Sequence, residues 1–144
     1  MEVSPATIRE FVEADRFAVK ALYLHCRVNT FSWLNTRMFK LNDFEKDTVG
    51  ERIFVAEVGG VIVGFVAFSM ADTFVHHLYV HQAFAKRGIG KALLNIVLQA
   101  SPKPFSLKCL EMNQNACDFY TAQGWQIKRR SIGDQGPYFL FVSR

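Results

Sequence analysis

The chain has 144 residues, half of them apolar, and 17 Lys and Arg against 13 Asp and Glu give a formal net charge of +4. That length fits one domain, residues 1–144, able to bury roughly two thirds of its extended-chain surface, and leaves no room for separate catalytic and cofactor domains. The basic residues are scattered apart from Lys128, Arg129 and Arg130, so the charge suits an acidic ligand but forms no nucleic-acid reading stripe, and no run of 18 apolar residues exists that could cross a bilayer. Residues 6–10 read as a short opening strand. A helix follows over 13–27, with Phe17, Ala18, Ala21, Leu22 and Leu24 at helical spacing, and Asn29 and Thr30 interrupt it. Residues 31–49 hold Phe31, Trp33, Leu34, Met38, Phe39, Leu41 and Phe44 among polar residues, which predicts one or two short helices that either cover a pocket or pack the core. The β-type runs 53–58 and 61–70 meet at Gly59 and Gly60, a two-residue hairpin signal, and 74–80 adds a third meandering strand.

The stretch 80–100, VHQAFAKRGIGKALLNIVLQA, organises the rest. A strand ending in Leu78, Tyr79 and Val80 passes through a polar turn into Gly88, Ile89 and Gly90, and Ile89, Ala92, Leu93, Ile96, Val97 and Ala100 then repeat at helical spacing. Such a turn directs free backbone N–H groups outward at the positive end of a helix, and glycines let a phosphate approach the main chain. Lys86, Arg87 and Lys91 add positive charge. The turn is neither GxxxxGK[ST] nor GxGxxG, because Leu93 stands where a third glycine would be.

Residues 101–104 break the helix, 105–110 supply a strand, Asn113 suits a helix cap, and a helix over 115–123 stops at Gly124. Strands over 125–130 and 138–142, separated by the turn SIGDQGP, close the chain. Strands on both sides of several helices make this a mixed α/β fold, a sheet flanked by helices in a single domain. Cys26, Cys109 and Cys117 have neither an even count nor metal spacing and read as buried thiols, which fits a reducing cytoplasm. The opening MEVSPATIREF lacks the pattern of a signal peptide, no GxSxG marks a serine hydrolase, and neither His25 with Cys26 nor His76, His77 and His81 has a third ligand at zinc spacing.

Two motifs in this order carry a family resemblance. LYVHQAFAKRGIGKALL resembles the acetyl-CoA-binding motif of the GCN5-related N-acetyltransferases (GNAT), and NQNACDFYTAQGW resembles the asparagine, alanine, tyrosine and glycine motif that follows it. The resemblance implies a GNAT-like acyl-CoA N-acyltransferase fold and transfer of acetyl from acetyl-CoA, without a metal, to a primary amine of a small metabolite or peptide terminus. It places the CoA pyrophosphate at Lys86, Arg87, Gly88, Ile89, Gly90 and Lys91. It also implies that the pantetheine arm lies along Leu78, Tyr79 and Val80, between strands 74–80 and 105–110 that splay apart. Ala85 departs from the family, which usually has Gln or Arg there.

Tyr120 matches the family tyrosine that protonates the leaving thiolate, and otherwise it is a buried aromatic beside Phe119. Asn113 matches the motif asparagine and serves as a cap or a cofactor neighbour. His76 and His77 are candidate bases for the amine on opposite strand faces, with Glu111 a third. Phe31, Trp33, Phe39 and Tyr79 either line an acceptor pocket or close the core. The alternative function is a noncatalytic acyl-CoA-binding or regulatory domain. No nucleic-acid or membrane partner is expected, and the last strands admit a homodimer.

Overall fold

A computed structural model describes residues 5–143. Its strands are β1 (Thr7–Glu10), β2 (Arg52–Val58), β3 (Val61–Ser69), β4 (Phe74–Val80), β5 (Ser106–Leu110), β6 (Gln126–Gly133) and β7 (Gly136–Val142). The helices are α1 (Arg16–Thr30), α2 (Asp43–Asp47), α3 (Ile89–Gln99) and α4 (Gln114–Ala122). One seven-stranded sheet runs in the order β1-β2-β3-β4-β5-β7-β6, antiparallel except where β4 meets β5. It is the mixed α/β fold expected from the sequence.

Local chemistry accounts for the connections. Gly59 and Gly60 both adopt positive φ, 58° and 80°, the backbone a two-residue hairpin needs to match strand twist. Asn113 caps α4 by accepting the Ala116 N–H at 3.4 Å, and Gly124 takes a left-handed φ of 88° just beyond the helix. The region 31–49 holds two short helices, a 3-10 turn at Thr36–Met38 and α2. The closing hairpin is tighter than expected. SIGDQGP is mostly strand, with Ile132 opposite Pro137 and Gly133 opposite Gly136, so Asp134 and Gln135 alone make the loop.

Helix α1 departs from expectation in two ways. It continues through Asn29 and Thr30, because the Asn29 amide donates to the His25 carbonyl at 2.8 Å, a bond along the helix rather than across its end. Its buried stripe is Val19, Leu22, Tyr23 and Cys26, while Phe17 is 73% exposed and Ala18 and Ala21 face solvent. Apolar residues occur all round this helix, and the face carrying the larger volumes won the core.

The sheet has a core on each face. One joins β2 to β5 and β7 with α3 and α4 around Phe68, Leu93, Phe105 and Phe141; the other packs α1 and α2 over β2 and β3 around Val19, Tyr23, Phe44 and Phe65. Truncating Leu22 to Ala should lower stability in urea unfolding by about 2–5 kcal/mol. Phe17→Ala should change it by less than about 0.5 kcal/mol, and a reversed order would show that α1 presents its other face.

Candidate active site

Strands β4 and β5 are paired in parallel only through Phe74 and Ser106. Beyond that point each keeps its antiparallel partner on the far side, β3 for β4 and β7 for β5, and the two diverge. A cavity of about 510 Å³ opens beside the divergence, lined by Leu78 and Tyr79 from β4, Cys109 and Leu110 from β5, and Asn113 and Tyr120 around α4. Its other wall is aromatic and comes from α1 and the segment after it, with Tyr23, Phe31 and Phe39.

His76 and His77 both line this cavity, which corrects the expectation that they occupy opposite faces. The register between β3 and β4 jumps from Ala67 opposite His77 to Phe68 opposite Val75, leaving His76 as the extra residue of a bulge. A bulge breaks the alternation of side chains. Phe74, His76, His77 and Tyr79 consequently form contacting rings, while Val75 turns into the opposite core.

The two histidines differ in surroundings. His77 packs edge-on against Tyr23, with ring centroids 5.2 Å apart, and its Nε2 lies 3.0 Å from the Asp47 carbonyl, so that nitrogen carries the proton in the neutral ring. Burial holds its pKa below the usual histidine value, against the opposing pull of Asp47. His76 is 42% exposed and its Nδ1 meets the Glu51 carboxylate, which is itself 5% exposed. Burial raises the Glu51 pKa, while His76 opposes that shift. With Nδ1 engaged by Glu51, Nε2 of a neutral His76 is left as the acceptor.

Burial pushes the pKa of each of three cavity phenols, Tyr23, Tyr79 and Tyr120, above its ordinary value. The Tyr23 hydroxyl donates to Asp47 Oδ2 at 2.6 Å. Tyr120, 8% exposed, sits among Phe119, Trp125 and Phe141, and no hydrogen bond to a described residue contributes to its shift. Cys109 and Cys117 are free buried thiols with Sγ atoms 3.4 Å apart, and burial raises both pKa values, so they fill space beneath the cavity as small apolar groups.

The glycine turn lies just beyond β4. The first bond within α3 runs from the Ala92 N–H to the Gly88 carbonyl at 3.0 Å, which leaves the amides of Ile89, Gly90 and Lys91 without intrahelical acceptors. Gly88 has φ 79° and Lys86 φ 63°, two left-handed residues just ahead of the helix. Open space surrounds Gly88, where a built Cβ finds nothing within 4 Å. Gly90 also has a packing role: a Cβ there would lie 3.2 Å from the Phe119 ring, so its absence lets α3 and α4 close. The Ile89 side chain is core, Val80 packs on the same core, and Arg87 stacks over Phe84 at 4.9 Å.

Other expected residues fall elsewhere. Glu111 is bonded twice by Arg130 on the surface, at 3.2 and 2.9 Å, and is not among the cavity lining. Trp33 stands behind Phe31, ring centroids 5.5 Å apart, and does not reach the cavity, whereas Phe31, Phe39 and Tyr79 do. Sequence reasoning missed Arg27, Glu51 and the tip of the β6–β7 hairpin, where Asp134 and Tyr138 reach the cavity. Periodicity marks Arg27 only as a polar position of α1, and only the fold brings Glu51 to His76.

A sequence profile of the acetyltransferase (GNAT) family matches residues 16–125. The chain belongs to this family. Over 74 residues it is 39% identical to the peptidyl-lysine N-acetyltransferase YiaC of Escherichia coli, covering 51% of this chain and 49% of that protein. Over 101 residues it is 29% identical to an L-methionine sulfoximine/L-methionine sulfone acetyltransferase of Salmonella typhimurium, covering 62% and 59%. The match thus spans about half the length of these curated relatives. The GNAT fold is also that of the PaiA N-acetyltransferase of Thermoplasma acidophilum, solved in complex with coenzyme A, at a TM-score of 0.75 and 15% identity over 97% of this chain and 99% of that one.

Burial of neutral His77 has a consequence for pH dependence. Its folded pKa lies below the unfolded value of about 6.5, so the unfolded chain binds more protons between the two, and stability falls as pH drops through that window. Thermal melts from pH 8 to pH 5 should show a smaller acid-side loss in His77→Gln than in the parent. Parallel curves would mean that His77 titrates alike in both states.

Proposed function

We propose that the chain transfers acetyl from acetyl-CoA to a primary amine. The observation that carries this reading is the divergence of β4 and β5 beside a cavity that holds both Tyr120 and His76. Acetyl-CoA supplies an acetyl group already activated as a thioester. The residues present fit it: the unbonded amides of Ile89, Gly90 and Lys91, with Gly88 open beside them, suit a pyrophosphate, and the unpaired inner edge of β4 at Leu78, Tyr79 and Val80 suits the amides of a pantetheine arm. Lys86 and Arg87 are exposed and add charge at the same turn, which offsets the missing side-chain donor at Ala85. Asn113 borders the cavity while its side chain caps α4.

Two protons must be managed. An alkyl amine of pKa near 10.4 is mostly protonated at neutral pH. His76, with its Nδ1 held by Glu51 and its ring part-exposed, is the base that receives the amine proton at Nε2. His77 is the poorer choice, because burial lowers its basicity. Tyr120 stays protonated and donates toward the sulfur as charge develops there. The relatives' names, one a lysine acetyltransferase and the other acting on amino-acid analogues, agree with an amine acceptor.

Release of free CoA from acetyl-CoA across a panel of amines tests the reading. Tyr120→Phe and His76→Gln should each lower the chemical rate by about 10²-fold to 10⁴-fold. A folded parent that binds CoA yet releases no thiol with any amine would favour a noncatalytic acyl-CoA-binding domain. For the cofactor turn, Gly88→Val should weaken CoA binding in calorimetry well beyond any effect of Gln99→Ala on the exposed end of α3, and equal affinity in the two folded variants would remove the pyrophosphate from this turn.

A further inference from the structure

Arg27 is a charge in the cavity wall that acetyl transfer leaves without a task. Its side chain is only 13% exposed. The guanidinium lies over the Phe39 ring at 4.0 Å and the Tyr23 ring at 4.7 Å, between an α1 residue and the segment that follows the helix. Stacking of this kind fixes the planar fork before a ligand arrives, so little side-chain entropy is lost on binding.

Its one side-chain hydrogen bond among the described residues runs from Nη1 to Asp43 Oδ2 at 3.0 Å. Asp43 is shared, because the Lys40 N–H donates to the same oxygen at 2.9 Å and Lys46 pairs with the other at 3.4 Å. Asp43 thus divides its charge between Arg27 and Lys46, while the nearby Asp47 carboxylate accepts from the Tyr23 hydroxyl. A guanidinium has five N–H donors, and among the described residues the only buried side-chain nitrogen or oxygen without a partner is Trp33 Nε1. The unused donors of Arg27 are therefore not sealed in the core but reach open space. The other charged groups of the cavity, apart from the histidines, are Lys108, which lies over Tyr138 at 5.1 Å, and Asp134.

A plain cationic amine offers the open donors of Arg27 no acceptor. We propose that the acceptor is a small amine that also carries a carboxylate, with the carboxylate paired to Arg27, its apolar part against Phe31 and Phe39, and its amine toward the gap between β4 and β5. This inference rests on the acetyl-transfer reading above and names its substrate class.

The test compares leucine, leucinamide and isoamylamine, and in a second arm phosphoethanolamine, as acceptors for the parent, Arg27→Gln and Arg27→Lys. A charge-assisted pair should favour leucine over leucinamide by about ten-fold to a hundred-fold in kcat/KM. Arg27→Gln should bring that ratio close to one, and Arg27→Lys should keep part of it. The ratio is taken within one protein, so a partly unfolded variant changes both numerator and denominator alike. Equal rates for acid and amide in the parent, a ratio untouched by Arg27→Gln, or a preference for phosphoethanolamine over leucine would overturn the proposal while leaving acetyl transfer intact. If no amine releases CoA, the transfer reading fails instead, and calorimetry of N-acetylleucine against N-acetylleucinamide on the CoA-saturated protein decides the subsite. Tighter binding of the acid that disappears in Arg27→Gln supports it, and no preference overturns it.

Discussion

The single parallel contact between Phe74 and Ser106 is the constraint on which the rest depends. A sheet gains by pairing every strand along its length, and an unpaired peptide group in a dry interior costs about 1–3 kcal/mol. Here β4 and β5 each give up several pairings in the middle of the sheet. They can do so because β7 pairs β5 along its length, β3 pairs β4 on both sides of the His76 bulge, and the gap opens into a cavity rather than into packed side chains. The gap therefore presents backbone donors and acceptors that water or an extended ligand with its own amides can satisfy. Each face of the sheet has its own core, so stability does not rest on the strands meeting.

The bulge at His76 is the second device, and it acts through the first. Without it Val75, His77 and Tyr79 would share one face and His76 the other. With it, Val75 reaches the core under α3, and two histidines stand side by side above the gap. Partner and burial then differentiate one from the other. Glu51, just before β2, reaches His76, while the carbonyl of Asp47, the last residue of α2, reaches His77. The segment between α1 and β2 thus supplies the groups that hold the two imidazoles of β4, a more specific task than covering a pocket.

The fold was legible where local chemistry decides it. Gly59 with Gly60, Asn113 with Gly124, and the strand, glycine turn and helix from Phe74 to Gln99 each carry their own instructions, and all appear where the residues imply. What escaped depended on distant partners. Phe17 and Leu22 are equally apolar in a list, and only packing against the sheet separates a 73% exposed ring from a buried side chain. A bulge leaves no mark in FVHHLYV, because the extra residue is defined by register against β3. In the site, Tyr120 and the glycine turn were visible because two motifs carried them. Arg27 and Glu51 were not, since their meaning lies in a stacked ring and a paired imidazole brought from elsewhere in the chain.

The cavity phenols whose pKa burial raises, Tyr23, Tyr79 and Tyr120, show why burial alone does not select a catalytic acid. In water, moving a proton from a phenol near pKa 10 to a thiolate near 8.5 is uphill by about 1.5 units, roughly 2 kcal/mol. Burial raises the phenol further, and it raises a departing thiolate in the same low-dielectric space for the same reason. The comparison is thus between two penalties that largely cancel, and the residual favours a strong hydrogen bond to sulfur with the proton moving only as charge accumulates. That task needs a hydroxyl not already committed. Tyr23 fails, because its proton is held by Asp47 at 2.6 Å. Tyr79 and Tyr120 are both free of such a partner, but Tyr79 belongs to the ring cluster under α1 with Tyr23 and Phe65, whereas Tyr120 comes from α4 beside Cys109 on β5. Of the three, Tyr120 alone approaches the gap from the side of β5 and the α3–α4 core, whereas Tyr23 and Tyr79 stand on the side of α1, and on that ground the proposed acid is Tyr120.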